Sequence, residues 1–275
     1  MITRFAPTPS GYLHIGNCVN ALLVDWLARA HGGALILRID DVDADRYRPE
    51  YVDDMFRVLR WLDIQWHAGP RDTAEFEACF SMRDRTQYYR DVLHGWISQL
   101  DTYACECSRS DLRAARSLTC VRGCRSRELT LTPGESALRL HVPIGTTTDL
   151  SGRSIDLAAE MGDFVLWRRD DRPSYQLASL IEDRDLEVTH VVRGSDLLPS
   201  TAAQLHIACA VSVASFRDAV FVHHPLIADA AGNKLSKSQL DTGPLTTSDA
   251  LADEIVRVAT ELAAKAGITP AVARR

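Results

Sequence analysis

The apolar positions of the chain change period several times, and each change predicts an element. "ITRFAP" reads as a short strand running into a Pro/Gly turn, and "NCVNALLVDWLARAHGG" as a helix with Gly32 and Gly33 past its end as a stop signal. "ALILRIDDVD" is a buried strand that ends in acidic residues. Over residues 49–62, Tyr51, Met55, Val58, Leu59 and Leu62 recur at helical spacing. Strand, helix, strand, helix predicts a parallel sheet with right-handed crossovers. Ligands of such sheets gather at the C-terminal strand ends. Both "APTPSGYLHIGN" and "RIDDVD" fall there.

"SMRDRTQYYRDVLHGWISQL" predicts a further helix with Ser81 as its N-cap. The periodicity then weakens. Residues 102–127 are rich in Cys, Arg and Ser, and "SALRLHVP" and "GDFVLWRRDDRPSYQLAS" read as short strands around polar turns. Sheet-like patterning resumes in "LEVTHVVRGSDLL". It is followed by a helix at "TAAQLHIACAVSV", a strand at "AVFVHHPLIA" and a Gly-preceded loop at "KLSKS". A terminal helix carries Leu251, Ile255, Val258 and Leu262 on one face. The chain thus divides into a first α/β half (1–98), an insertion (99–172), a second α/β half (173–238) and a terminal helix and tail (239–275).

Composition narrows the class. With 275 residues, 46% of them hydrophobic and 25% charged, the chain can bury a core and form two domains. No stretch reads as a membrane span and "MITRFAPTPS" is no signal peptide, so a cytoplasmic protein with no membrane partner is expected. A net charge of -6 excludes coating of nucleic acid through bulk charge but leaves room for a local basic patch. Seven cysteines, an odd number, argue against a disulfide framework.

Three segments carry chemistry. A strand, a Pro/Gly turn and a helix N-terminus form a phosphate site, because unpaired backbone N–H groups point outward there. His14 and Asn17 add donors, and Gly11 and Gly16 allow close approach. Lys234 and Lys237 of "KLSKS", with the hydroxyls of Ser236 and Ser238, suit a triphosphate. Taken alone, the first segment could be a tight turn and the second a solvated loop. Cys105, Cys107, Cys120 and Cys124 read C-x-C-x12-C-x3-C, two close thiolate pairs that suit a structural tetrahedral zinc ion. Arg109, Arg113, Arg116, Arg122, Arg125 and Arg127 stand against Asp111 in the same stretch. That patch suits a nucleic-acid backbone, or is simply a solvated loop.

"HIGN" followed by "KLSKS" resembles the two signature motifs of class I aminoacyl-tRNA synthetases. "RFAPTPSGYLHIGN", "LILRIDDVD", "YQLAS", "VTHVVRGSDLL" and "GNKLSKS", in that order, resemble the glutamyl subclass. The resemblance implies a Rossmann-type catalytic domain with a zinc-containing insertion subdomain, and activation of glutamate by ATP with its Mg²⁺ to glutamyl-AMP. By the same resemblance His14, Gly16, Asn17 and Lys237 hold ATP, and His14, Asn17, Lys234 and Lys237 serve the reaction. Arg4, Thr8, Asp40, Tyr175 and Arg193 hold glutamate. Two positions depart from the family. Asn17 stands where the fullest motif has a second histidine, and it donates without carrying charge. Asp40 stands where many relatives have Glu, keeping the charge with a shorter reach.

After Ser238 the sequence has room for a helix and a tail, not for the large helical anticodon-binding region of glutamyl-tRNA synthetases. That trait, with the cysteine cluster retained, resembles the glutamyl-queuosine tRNA(Asp) synthetases within the family. It implies transfer of glutamate to queuosine in the anticodon stem-loop of tRNA(Asp) by a monomer. Two other readings stay open: an adenylate-forming ligase with another acceptor (metabolite, peptide or carrier protein), and a non-catalytic binder built on the same fold.

Overall fold

The computed structural model describes residues 1–226 and 243–270. Its strands in chain order are β1 (Ile2–Phe5), β2 (Ala34–Leu37), β3 (Thr102–Cys105), β4 (Ala137–Leu140), β5 (Thr147–Leu150), β6 (Arg153–Asp156), β7 (Phe164–Trp167), β8 (His190–Gly194) and β9 (Val220–His224). The longer helices are α1 (Ile15–Ala30), α2 (Pro49–Trp61), α3 (Thr86–Trp96), α4 (Arg109–Ala114), α5 (Tyr175–Asp185), α6 (Leu198–Ala210) and α7 (Asp249–Ala266). Among the described residues no helix is long and apolar enough to cross a membrane.

The chain forms two compact units. The first comprises Met1–Arg83, Glu187–Asp196 and Ala219–Arg275. Its sheet is wholly parallel, in the order β2-β1-β8-β9. From β1 the chain moves through α1 to β2 on one side, and much later returns to β8 on the other. The gap between the C-terminal ends of β1 and β8 is therefore a topological switch point, the place where such sheets bind ligands.

Helix α1 is buried on most of its circumference, through Cys18, Val19 and every residue from Ala21 to Ala28. It packs against β1, β2, β8 and α7. Helix α7 contributes Ile255, Ala259, Leu262 and Ala263, one stripe at helical spacing. Each large apolar side chain buried in this core contributes roughly 1.5–3 kcal/mol. Helix α7 ends where Gly267 takes φ +68, the left-handed conformation that closes a helix at little cost to glycine.

The second unit comprises Asp84–Leu186 and Leu197–Asp218. It takes in α3, α5 and α6 as well as the cysteine-rich segment, so it begins before residue 99, where the sequence pattern changes. Strands β3, β4 and β7 make an antiparallel sheet, and β5 pairs with β6 in a hairpin.

Two local expectations are corrected. Ser81 caps no helix: its Oγ–H donates to Asp41 Oδ2 at 2.7 Å, and α3 begins only at Thr86, after a 3₁₀ turn. The strand-like reading of "GDFVLWRRDDRPSYQLAS" holds for Phe164–Trp167 alone. From Tyr175 the chain is helical, because Ser174 accepts the Leu177 N–H and caps α5.

Candidate functional site

The start of α1 is held by a reciprocal capping box. His14 is the N-cap, and its Nδ1 accepts from the Gly16 N–H at 3.1 Å. Asn17 Oδ1 accepts from the His14 N–H, also at 3.1 Å. Two orphan donors of the helix start are thereby satisfied. The consequence is chemical. With Nδ1 accepting, the neutral imidazole carries its proton on Nε2; with Oδ1 occupied, Asn17 keeps its NH₂ as the working end. In that state both side chains are donors, on a helix whose first turn has no acidic residue to oppose its positive end.

Arg4 and Arg193 lie on the two strands that border the switch point, each one residue from its strand's C-terminal end. Both are buried. The Arg193 guanidinium lies over the Phe221 ring, 6.0 Å from its centroid, and Phe221 stacks with His223. Burial pushes the His223 imidazole down to about 4, with the Arg193 charge and His224 adding to the shift. Arg193 thus has neutral neighbours on β9 at neutral pH.

Asp40 follows β2, and its N–H donates to the Pro7 carbonyl, which seats it beside the turn that carries Thr8. Thr8 is exposed. The Asp40 carboxylate is clamped by Arg38: Nε donates to Oδ1 at 2.6 Å and Nη2 to Oδ2 at 3.0 Å, with both side chains 5% exposed. A two-pronged pair of this kind fixes the carboxylate's direction and leaves further lone pairs to accept. The next residue, Asp41, is an anchor. It accepts from Ser81 Oγ, Met82 N and Arg83 Nε. The Arg38 clamp and the cap at His14 escaped the sequence reading, although a buried Arg two positions before an Asp was a visible signal for the first.

Of the residues expected at the site, Arg4, Thr8, His14, Gly16, Asn17, Asp40 and Arg193 belong to the first unit. Lys234 and Lys237 lie outside the described residues. Tyr175 belongs to the second unit, at the exposed start of α5. There it lines a cavity of about 950 Å³ together with Arg109, Arg139, Phe164, Arg168 and Arg169. Arg139 is buried; its Nη1 donates to the Asp163 carbonyl at 2.6 Å, while its Nε has no hydrogen-bond partner among the described residues.

The four cysteines come together. Their sulfurs all lie within 4.8 Å of one another, and Cys107 and Cys120 are 3.6 Å apart. Tetrahedral Zn–S bonds of about 2.3 Å require sulfur separations of about 3.8 Å, so the cluster fits a metal ion of this kind. The Cys124 N–H donates to Cys120 Sγ at 3.2 Å, the sort of bond that favours a thiolate. Burial raises the Cys120 thiol, but the N–H groups of Cys124 and Arg122 outweigh it and bring it down to about 7. Burial pushes Cys105 up to about 12. Apart from the sulfurs, the local core is little more than Tyr103, Leu112 and Leu129.

The arginines of this arm are partly engaged by acids at its foot and on α4. Arg122 pairs with Asp111 (2.9 Å), Arg125 with Asp101 (2.5 Å) and Arg127 with Glu106 (3.0 Å). All three pairs are solvent-facing and individually weak, so they can yield to a stronger anion.

Comparison with known proteins agrees with this layout. The catalytic-domain family of class I tRNA synthetases (E and Q) matches residues 1–271. The glutamyl-Q tRNA(Asp) synthetase of Burkholderia cenocepacia is 37% identical over 85% of this chain and 79% of that protein. Glutamate–tRNA ligase 1 of Alkalilimnicola ehrlichii is 34% identical over 86% of this chain and 50% of its own length, so the chain spans about half of such ligases. A glutamate tRNA ligase from Elizabethkingia meningosepticum, solved with its amino acid, has a similar fold. Its TM-score is 0.69 at 27% identity, covering 86% of this chain and 52% of that one. The chain belongs to the glutamate- and glutamine-type class I tRNA synthetase catalytic-domain family.

Proposed function

We propose that the protein activates glutamate with ATP and passes it to queuosine in the anticodon loop of tRNA(Asp). The observation that carries the first step is the capping box. It presents His14 Nε2–H and the Asn17 amide as donors at a helix start beside the switch point. An amino-acid carboxylate attacking the α-phosphate gathers negative charge on the phosphates, and fixed donors stabilise that charge without reorganising. Gly16 leaves room for the nucleotide. Lys234 and Lys237 would neutralise the leaving phosphates, and Mg²⁺ would arrive on the ATP.

Glutamate carries two carboxylates and one ammonium group. Arg4 and Arg193 answer the first two, with Thr8 as a hydroxyl donor, and Asp40, held by Arg38, answers the third. Asp40 and its clamp set the reach for the ammonium group.

The acceptor is read from the second unit and from the similarity to the B. cenocepacia protein. The cavity beside Tyr175 offers guanidinium groups for phosphate and Phe164 for a base, a combination suited to a nucleotide in single-stranded RNA. A zinc ion held by Cys105, Cys107, Cys120 and Cys124 would supply the arm with the core it otherwise lacks. Such a reaction belongs in the cytoplasm, where ATP and tRNA meet.

The test has two stages. ATP–pyrophosphate exchange across a panel of amino acids should respond to glutamate alone. Incubation of tRNA(Asp) with labelled glutamate and ATP should then place the label on queuosine by mass spectrometry. Exchange with glutamate but an unlabelled queuosine would redirect the activated amino acid to another acceptor. No exchange at all would leave a binding protein.

A further inference from the structure

His224 ends β9, and at 5% exposure it is buried. Its Nδ1 lies 2.9 Å from the Pro225 carbonyl oxygen, and its Nε2 lies 3.2 Å from the Asn20 side-chain amide at the Oδ1 position. A carbonyl oxygen can only accept, so Nδ1 carries a proton. Burial pushes the ring's pKa down, against the Pro225 carbonyl and the Asp196 charge, which pull it up. The neutral ring therefore has a bare Nε2 that requires a donor. The Asn20 NH₂ supplies one once the amide is turned over, an exchange of O and N that moves no heavy atom.

Asn20 is three residues beyond Asn17, and therefore on the same face of α1. His14, Gly16, Asn17 and Asn20 are all partly exposed, while Cys18, Val19 and Ala21–Ala28 are buried. They form the polar edge of the opening turns of α1. His14 and Asn17 are interlocked by the cap, and Asn20 reaches across to the end of β9.

We propose that His224 is a positioning residue: through Asn20 it locks the opening turns of α1, and with them the donors of His14 and Asn17, to the C-terminal end of β9. Donor strength falls steeply with misalignment, so a small drift of α1 along the sheet would cost phosphate contact. The inference rests on the ATP-dependent reading above and adds to it a residue that never touches the nucleotide.

The test compares the wild type, His224→Leu and His224→Gln in glutamate-dependent ATP–pyrophosphate exchange. His224→Leu should raise the KM for ATP about five- to tenfold, the weight of one buried hydrogen bond, and leave the KM for glutamate within about twofold. His224→Gln, whose amide oxygen can accept from Asn20, should return the ATP KM to within about threefold of wild type. A residue that only holds the fold together would instead lower kcat through the active fraction, with both KM values unchanged; that result overturns the proposal. Should His224→Leu fail to fold, ¹⁵N spectra of the wild-type protein decide the matter. A protonated Nδ1 and an Nε2 shifted by an accepted hydrogen bond are expected, and an Nε2 with the shift of a nitrogen that makes no hydrogen bond refutes the coupling. If the wild type exchanges with no amino acid, the activity reading fails instead. The coupling is then read from ATP affinity by calorimetry in the same three proteins, with the same ranking expected and equal affinities overturning it.

Discussion

The helix start at His14 and the cysteine arm are built on opposite principles. The first is over-determined by the polypeptide. A reciprocal cap, a parallel sheet and a helix buried on most sides hold His14 and Asn17 before any ligand arrives. The second has four sulfurs and a few apolar neighbours, a set that a bound ion would tie together. A site for a transient, highly charged nucleotide benefits from donors that need no rearrangement, whereas a site for a permanent ion can let the ion do the folding.

Metal removal should break the comparison most visibly. A structural zinc site is worth on the order of 10 kcal/mol to a small domain. A strong chelator should therefore abolish amide exchange protection over residues 102–127 and leave α1 protected. Equal protection in both states would show that the arm holds itself. Next comes the Arg38–Asp40 clamp. Arg38→Ala takes the nearest cation from a buried carboxylate and should cost about 3–5 kcal/mol in chemical denaturation. A loss below about 1 kcal/mol would mean that Asp40 is held by its other surroundings.

These two predictions also mark what was legible in the sequence. Strand β1, helices α1 and α2, the acidic end after β2 and the terminal helix all follow from local periodicity and Gly/Pro punctuation, and the four cysteines follow from spacing. Sheet order did not follow, because β8 pairs with β1 across the whole Asp84–Leu186 part of the second unit and no local pattern encodes such a neighbour. Ser81 misled for a related reason: its hydroxyl has a local role available as a cap, yet a distant carboxylate, Asp41, takes it. The hairpin β5–β6 was missed altogether, since its strands are short and mostly exposed and so lack an apolar rhythm. Within the candidate site, the hydrogen-bond polarity of the side chains could not be read from the sequence. That His14 donates from Nε2 depends on which backbone N–H meets Nδ1.

Acid sharpens the contrast further. The unfolded His223 imidazole takes up a proton near pH 6.5, the folded one only near about 4. Between these values the unfolded chain binds more protons, so stability should fall as pH drops from about 6.5 toward 4. His223→Gln should flatten that part of the curve in pH-dependent unfolding; an unchanged slope would assign the loss to other groups. The smallest effect is expected on the arm's surface. Arg125→Ala should change stability by less than about 0.5 kcal/mol, because its partner Asp101 is exposed. It should nonetheless reduce the salt dependence of tRNA binding by about one slope unit, a change absent if the arm does not touch phosphate.

The most direct measurement is ATP–pyrophosphate exchange by His14→Asn, run beside its unfolding curve. Asparagine is a good N-cap, so the folding free energy should stay within about 0.5 kcal/mol of wild type, while its amide NH₂ falls short of the position of the imidazole Nε2–H, and losing the donor there should slow exchange about a hundredfold. A well-folded His14→Asn protein that exchanges at the wild-type rate would contradict the claim that the cap exists to aim that proton at a phosphate.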